Sequence, residues 1–188
     1  MSTPQDDRKQ PRDGARGAET PPREEQRQYL TFLLGGEPYA VGILHVKEIL
    51  EYPTVTRVPL VPPFIRGVMN LRGSVVPVVD LMARLGRGAG TQTKRTGIVV
   101  IEVETENGRQ DIGLMVDAVN TVLEIAPGDI EPAPVFGAKI RTDFIRGLAK
   151  VNDQFVIIID VHRVLSIDEM AQVVTSTPEA PTSGIAKT

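Results

Sequence analysis

From Tyr29 onward the apolar positions of this chain recur mostly at every second residue, the spacing of strands that turn alternate side chains to a core. Tyr29 to Leu34 is rich in aromatic, aliphatic and β-branched residues, and Gly35-Gly36 supplies a tight turn into Glu37 to Val41, so a hairpin is predicted. The period then changes. Ile43, Val46, Ile49 and Leu50 stand at i, i+3, i+6 and i+7, with His45, Lys47, Glu48 and Glu51 mostly elsewhere, which predicts a helix over 43–51. Tyr52 to Pro63 contains four prolines, each without an N–H, and is expected to be irregular. Strands are predicted at Val68 to Arg72 and Ser74 to Val79, joined around Arg72-Gly73, with Pro77 marking an edge or a bulge. Gly86 to Thr96 reads as a surface connection. Gly97 to Thr105 and Gln110 to Val116 flank a Glu106-Asn107-Gly108 turn, and Val119, Val122 and Ile125 continue the apolar series. Beyond Pro127, Pro132 and Pro134, strands are expected at Leu148 to Val151 and Gln154 to Ile159, and a closing helix over 167–174.

The chain repeats itself at a distance of eighty. Phe64-Ile65-Arg66-Gly67 returns as Phe144-Ile145-Arg146-Gly147, and the same offset superposes Val76 on Val156, Asp80 on Asp160 and Leu85 on Leu165. Two copies of a bend, a hairpin and a short capped helix imply a pseudo-duplicated body rather than a solenoid. In each copy a glycine follows the triplet, where a chain entering a strand from a loop needs positive φ or close backbone approach. Asp80 and Asp160 end the apolar runs and are read as N-caps of short helices over 81–85 and 161–165 rather than as a catalytic pair. Because the repeated elements fall late in each half, the first lobe is expected from roughly Arg66 to Val116. The N-terminal segment should then pair with the C-terminal strands.

Composition excludes several function classes. A formal net charge of −3, no Trp and 4% aromatic residues argue against a nucleic-acid surface built on basic patches and stacking. Without cysteine there is neither a disulfide framework nor a thiolate metal site. His45 and His162 do not match a zinc spacing, and the chain carries no nucleophile elbow, P-loop or dinucleotide fingerprint. Gly86-Arg87-Gly88-Ala89-Gly90 lacks the Lys-Ser/Thr of a phosphate loop and reads as a solvated linker. No catalytic residue, metal ligand or cofactor site is therefore expected. Residues 1–27, charged and rich in proline and glycine, and the end of the chain from 175 read as disordered tails. Neither a signal peptide nor an apolar run of membrane-spanning length is found, so a soluble, cytoplasmic protein is expected.

Four stretches carry a resemblance. They are V-K-E-I-L at Val46 to Leu50, F-I-R-G-V-M-N-L-R-G-S-V-V-P-V-V-D-L at Phe64 to Leu81, G-L-M-V-D-x-V-x-x-V at Gly113 to Val122, and F-I-R-G-L at Phe144 to Leu148. In order and spacing they resemble the CheW family of chemotaxis coupling proteins, from about Gln28 to about Leu165. The resemblance implies a mainly β fold of two small five-stranded barrel lobes with short helices and a groove between them. It places the CheW-like domain, with its two lobes interleaved, at 28–168, between a tail at 1–27 and a helix end and tail at 169–188.

It also implies a non-enzymatic adaptor that links the histidine kinase CheA to the cytoplasmic tips of chemoreceptors, at receptor clusters on the inner face of the membrane and without insertion into it. The residues that match the family's partner-binding positions are Val46, Glu48, Gly67, Arg72 and Gly73, with Val119 and Val122 expected near the receptor groove. Ala118 stands where many relatives have glycine. Two other classes fit parts of the pattern. A kinase regulatory domain would need attached catalytic domains, and a nucleic-acid-binding pair of small barrels is disfavoured by the charge and the sparse aromatics.

Overall fold

The computed structural model describes residues 27–105, 108–133 and 142–165. Eleven strands occur among them: β1 (Arg27–Leu34), β2 (Glu37–Gly42), β3 (Val46–Glu51), β4 (Ile65–Leu71), β5 (Ser74–Asp80), β6 (Gly97–Thr105), β7 (Gly108–Val116), β8 (Ala118–Ile125), β9 (Ile130–Glu131), β10 (Ile145–Val151) and β11 (Gln154–Ile159). Two one-turn helices, α1 (Leu81–Arg84) and α2 (Val161–Val164), follow β5 and β11. The expected tails and the helix predicted over 167–174 lie outside the described residues, except that Arg27 already belongs to β1.

The strands form two sheets, ordered β8-β1-β2-β11-β10-β9 and β3-β6-β7-β5-β4. N-terminal strands thus pair with C-terminal ones, and the middle of the chain makes the other lobe. The lobe expected from Arg66 to Val116 begins instead at Val46, twenty residues earlier, because β3 joins it. The first sheet has a sixth strand beyond the expected five, the two-residue β9. Both sheets curl. Thr56 and Val68 exchange two backbone hydrogen bonds of 2.8 Å, which bring the segment after β3 against the free edge of β4. In the other lobe, β9 follows β8 and pairs with β10 in the same way.

The eighty-residue echo is therefore structural. Strand for strand, β3-β6-β7-β5-β4 corresponds to β8-β1-β2-β11-β10, with one parallel pairing in each lobe, β5 with β7 and β11 with β2. Each copy has a bulge at its bend, between Ile65 and Gly67 and between Ile145 and Gly147. Each hairpin turns on two residues of positive φ, Arg72-Gly73 (51° and 88°) and Asn152-Asp153 (48° and 60°). Such turns match the right-handed twist of the flanking strands. Each repeat ends on its aspartate cap: Asp80 accepts from the Ala83 N–H, and Asp160 from those of His162 and Arg163.

Burial is threefold. Tyr29, Ala40, Ile125, Ala149, Val156 and Ile158 fill one barrel, and Met69, Val76, Val78, Ile98, Val100 and Met115 fill the other. The largest cluster lies between the sheets, where Leu30, Phe32, Leu34 and Val41 meet Val99, Ile101, Ile112, Leu114 and Val116. Strands β1 and β6 accordingly have both faces covered, which explains their nearly continuous apolar runs.

Two expectations are corrected. The helix over 43–51 is a three-residue 3₁₀ turn (Ile43–His45) followed by β3. In β3 the odd positions Lys47, Ile49 and Glu51 are exposed and Val46, Glu48 and Leu50 half-buried, the alternation of a strand. The apparent helical period arose from reading across that junction. Pro77 lies in an internal strand, not at an edge. Its neighbour β7 pairs only from Val78 onward, so the missing N–H faces no ladder partner.

Candidate partner-binding surfaces

Gly67 sits at the bulge with φ 144°, and a Cβ there would overlap the Thr56 carbonyl oxygen and press on the Arg57 backbone. Its lack of a side chain lets the 52–57 segment lie against β4, so it shapes the lobe that carries the other candidate residues. Gly147 lacks positive φ, but a Cβ there would meet Ile130 Cγ2 at 2.6 Å and the Glu131 oxygen at 2.7 Å. The same close approach recurs in both lobes.

The structure brings two of the predicted residues together. Arg72, at the tip of the β4–β5 hairpin, donates from a terminal guanidinium nitrogen to Glu48 Oε1 at 2.6 Å. Glu48 is not an exposed helix carboxylate, as the helix reading required, but a half-buried strand residue. The carboxylate side chain is 23% exposed and the arginine 76%, so the pair offers a guanidinium to the outside with its partner anchored in the sheet. Gly73 follows at φ 88°, and its N–H is fixed by Asn70 Oδ1 at 3.0 Å. Lys47, at the bulge of β3 just before Glu48, bonds both oxygens of Asp111 at 2.9 and 2.8 Å, and that hydrogen bond raises its pKa.

Val46 is half-buried against the core between the sheets, a strand position rather than a helical one. Val119 and Val122 lie on β8, the strand of the other lobe equivalent to β3. Their cross-strand partners are Phe32 and Leu30, whose side chains belong to the inter-sheet core, so both valines share that face. Val119 is half-buried there and touches Gly97, whose Cβ would lie 3.1 Å from Val119 Cγ2, whereas Val122 is 42% exposed. The two valines thus differ: one is a partial core residue, the other an apolar side chain open to a partner.

The histidines, expected at helix ends or on the surface, are close together. Their rings lie 5.1 Å apart at 87°, His45 ending the 3₁₀ turn and His162 in α2. Burial, then the charge of His162, lowers the pKa of His45. This contact joins the linker between the lobes to α2, and sequence spacing held no sign of it. Among the described residues no group of three or more His, Asp or Glu could hold a metal ion. None of the described helices is long and apolar enough to cross a membrane.

The fold is that of a module of two small barrel-like β lobes. Residues 28–169 match the family model of the CheW-like domain. The chain is 36% identical over 147 residues to chemotaxis protein CheW of Klebsiella aerogenes, covering 78% of this chain and 86% of that protein. It is 36% identical over 137 residues to the Bacillus subtilis chemotaxis protein CheW, covering 72% and 85%. Its backbone is similar to the solved scaffolding protein TtCheW from Thermoanaerobacter tengcongensis, with TM-score 0.66 and 37% identity over 74% of this chain and 87% of that one. The chain belongs to the CheW family, whose members are scaffolding proteins of chemotaxis rather than enzymes.

Proposed function

We propose that the chain couples chemoreceptors to the histidine kinase CheA in the cytoplasm, at receptor clusters on the inner membrane face, and supports activation of the kinase there. The observation that carries this reading is Arg72. A left-handed backbone costs an ordinary residue about 1–2 kcal/mol, and the equivalent turn meets the demand with Asn152-Asp153, residue types that tolerate it. An arginine retained at φ 51°, largely exposed and clamped by Glu48, is strain held at a contact position.

In this reading the kinase regulatory domain docks on the lobe of Glu48, Gly67, Arg72 and Gly73, near Val46. Receptor tips, being helical hairpins, dock by an apolar stripe against Val119 and Val122. The protein acts by raising effective concentration and fixing geometry, so it changes a rate only when both partners are engaged. Kinase autophosphorylation, measured in receptor-containing membranes with and without the protein, should rise several-fold in its presence and stay unchanged when receptors are omitted. Equal rates with and without it in the complete mixture would sink the proposal.

A further inference from the structure

The two copies of the repeat meet at one side chain. Arg84 ends α1, and its counterpart eighty residues on is Val164 in α2. Arg84 Nε donates to the Val164 carbonyl oxygen at 2.6 Å, so the equivalent positions bond directly to each other. The guanidinium carbon lies 4.8 Å from the ring centre of Phe64 and 4.8 Å from that of Phe144, the residues that open the two repeats. The arginine is 7% exposed and Val164 is buried.

We infer that Arg84 is a positioning residue that fixes the angle between the two lobes, and through it the relative placement of β3 and β8. Most of the inter-lobe contact is apolar, and such contact is not directional. It favours burial without selecting one orientation. A charged donor bonded to a carbonyl, with an aromatic face on either side, is directional at every contact. Arginine suits the seat because its planar group stacks while Nε donates from the side, which an ammonium cannot do. The repeat is asymmetric here, because position 164 contributes its backbone carbonyl and an apolar, buried side chain where position 84 contributes the guanidinium. Val164 leaves the seat to one guanidinium.

The consequence for binding rests on the proposed function, in which the receptor docks against Val119 and Val122 of β8, beside the lobe junction where Val119 packs near Gly97 of the other lobe. The geometric part stands without it. The chain has no cysteine, so Val75→Cys and Phe155→Cys, exposed equivalent positions on the two hairpins, accept spin labels at chosen places. Dipolar spectroscopy on the doubly labelled full chain should give one narrow distance. Arg84→Met should broaden or shift it, and Arg84→Lys should restore it only in part. Receptor binding by Arg84→Met should fall at least tenfold, while kinase binding stays within twofold. A distance distribution unchanged in Arg84→Met overturns the inference. Where that variant does not fold, Phe144→Leu, which removes one aromatic face, is read in the same way. A broadened distance with receptor binding unchanged upholds the clasp and overturns instead the placing of the receptor surface on β8 beside the lobe junction.

Discussion

The two halves of the repeat share a frame and differ in what they show to the outside. In the first, the hairpin tip is Arg72-Gly73 and its guanidinium reaches sideways to Glu48 on β3. In the second, the tip is Asn152-Asp153, and Asp153 pairs among the described residues with Lys150 three residues away, at 3.2 Å between two well-exposed side chains. The second pair is a local surface contact of little energetic value. What is common to the copies (bend, bulge, turn, cap) holds the fold. What differs between them, the Arg72–Glu48 pair against a local Lys150–Asp153 contact, is where the proposed contact surface lies.

The glycine pair should give the largest effect. Gly67→Ala combines positive φ with overlap on the Thr56 backbone and is expected to cost roughly 3–5 kcal/mol. Gly147→Ala presses on the end of a side chain and one carbonyl without positive φ, for about 1–3 kcal/mol. Urea midpoints of the two variants measure the difference, and equal losses would remove the special role of the Thr56 contact.

The caps come next. Asp80 is fully buried and accepts from the Gly90 N–H at 2.9 Å as well as from Ala83, with Arg66 Nε 3.8 Å away. Asp160 caps α2 at a half-buried site, with Arg163 Nε at 3.7 Å. Asp80→Ala is expected to cost about 2–3 kcal/mol and Asp160→Ala about 1 kcal/mol, because only the first leaves a buried loop donor unpaired. Thermal unfolding of the two variants decides this.

At the exposed hairpin-tip positions Arg72 and Asp153 stability should scarcely move, by about ±0.5 kcal/mol, whereas Glu48→Lys, half-buried in β3, is read by binding alongside its own melting temperature. Arg72→Ala or Glu48→Lys should weaken kinase binding by more than about 1 kcal/mol, and Asp153→Ala should leave it unchanged. Titration calorimetry with the kinase regulatory domain reads all three.

The smallest effect concerns pH. His45 has a folded pKa below its unfolded value, from burial and from His162, with Arg146 adding to the depression and Asp160 opposing it. Its neutral form is therefore favoured by folding. The contribution is present above the unfolded value near 6.5 and is lost as pH falls through the lowered folded one. His45→Gln should make the melting temperature decline less between pH 7 and pH 5. A slope equal to the parent's would assign that decline elsewhere.

How much of this was legible follows from the range of each signal. The turns, caps and bend glycines are local and were read from their own residues. The eighty-residue offset revealed the duplication without any pattern of pairing. The 43–51 segment was misread because a 3₁₀ turn ahead of a short strand imitates helical spacing when only apolar letters are counted. Glu48–Arg72, His45–His162 and Arg84–Phe144 join residues 24, 117 and 60 apart through the sheet order. No local pattern encodes such contacts. Residue types alone also did not separate Val119, half-buried at the lobe junction, from Val122, which is exposed.

Placing the two partners on equivalent strands of opposite lobes is tested most directly by Arg72→Ala and Val122→Asp in parallel assays. Both positions are exposed, so circular dichroism of each should match the parent. A carboxylate at Val122 facing an apolar helix stripe is desolvated without a partner, at a cost of several kcal/mol. The expected result is a crossed pattern: Arg72→Ala loses kinase binding and keeps the receptor, and Val122→Asp loses the receptor and keeps the kinase. Folded variants that lose both partners together, or neither, would contradict the division of surfaces between the two lobes.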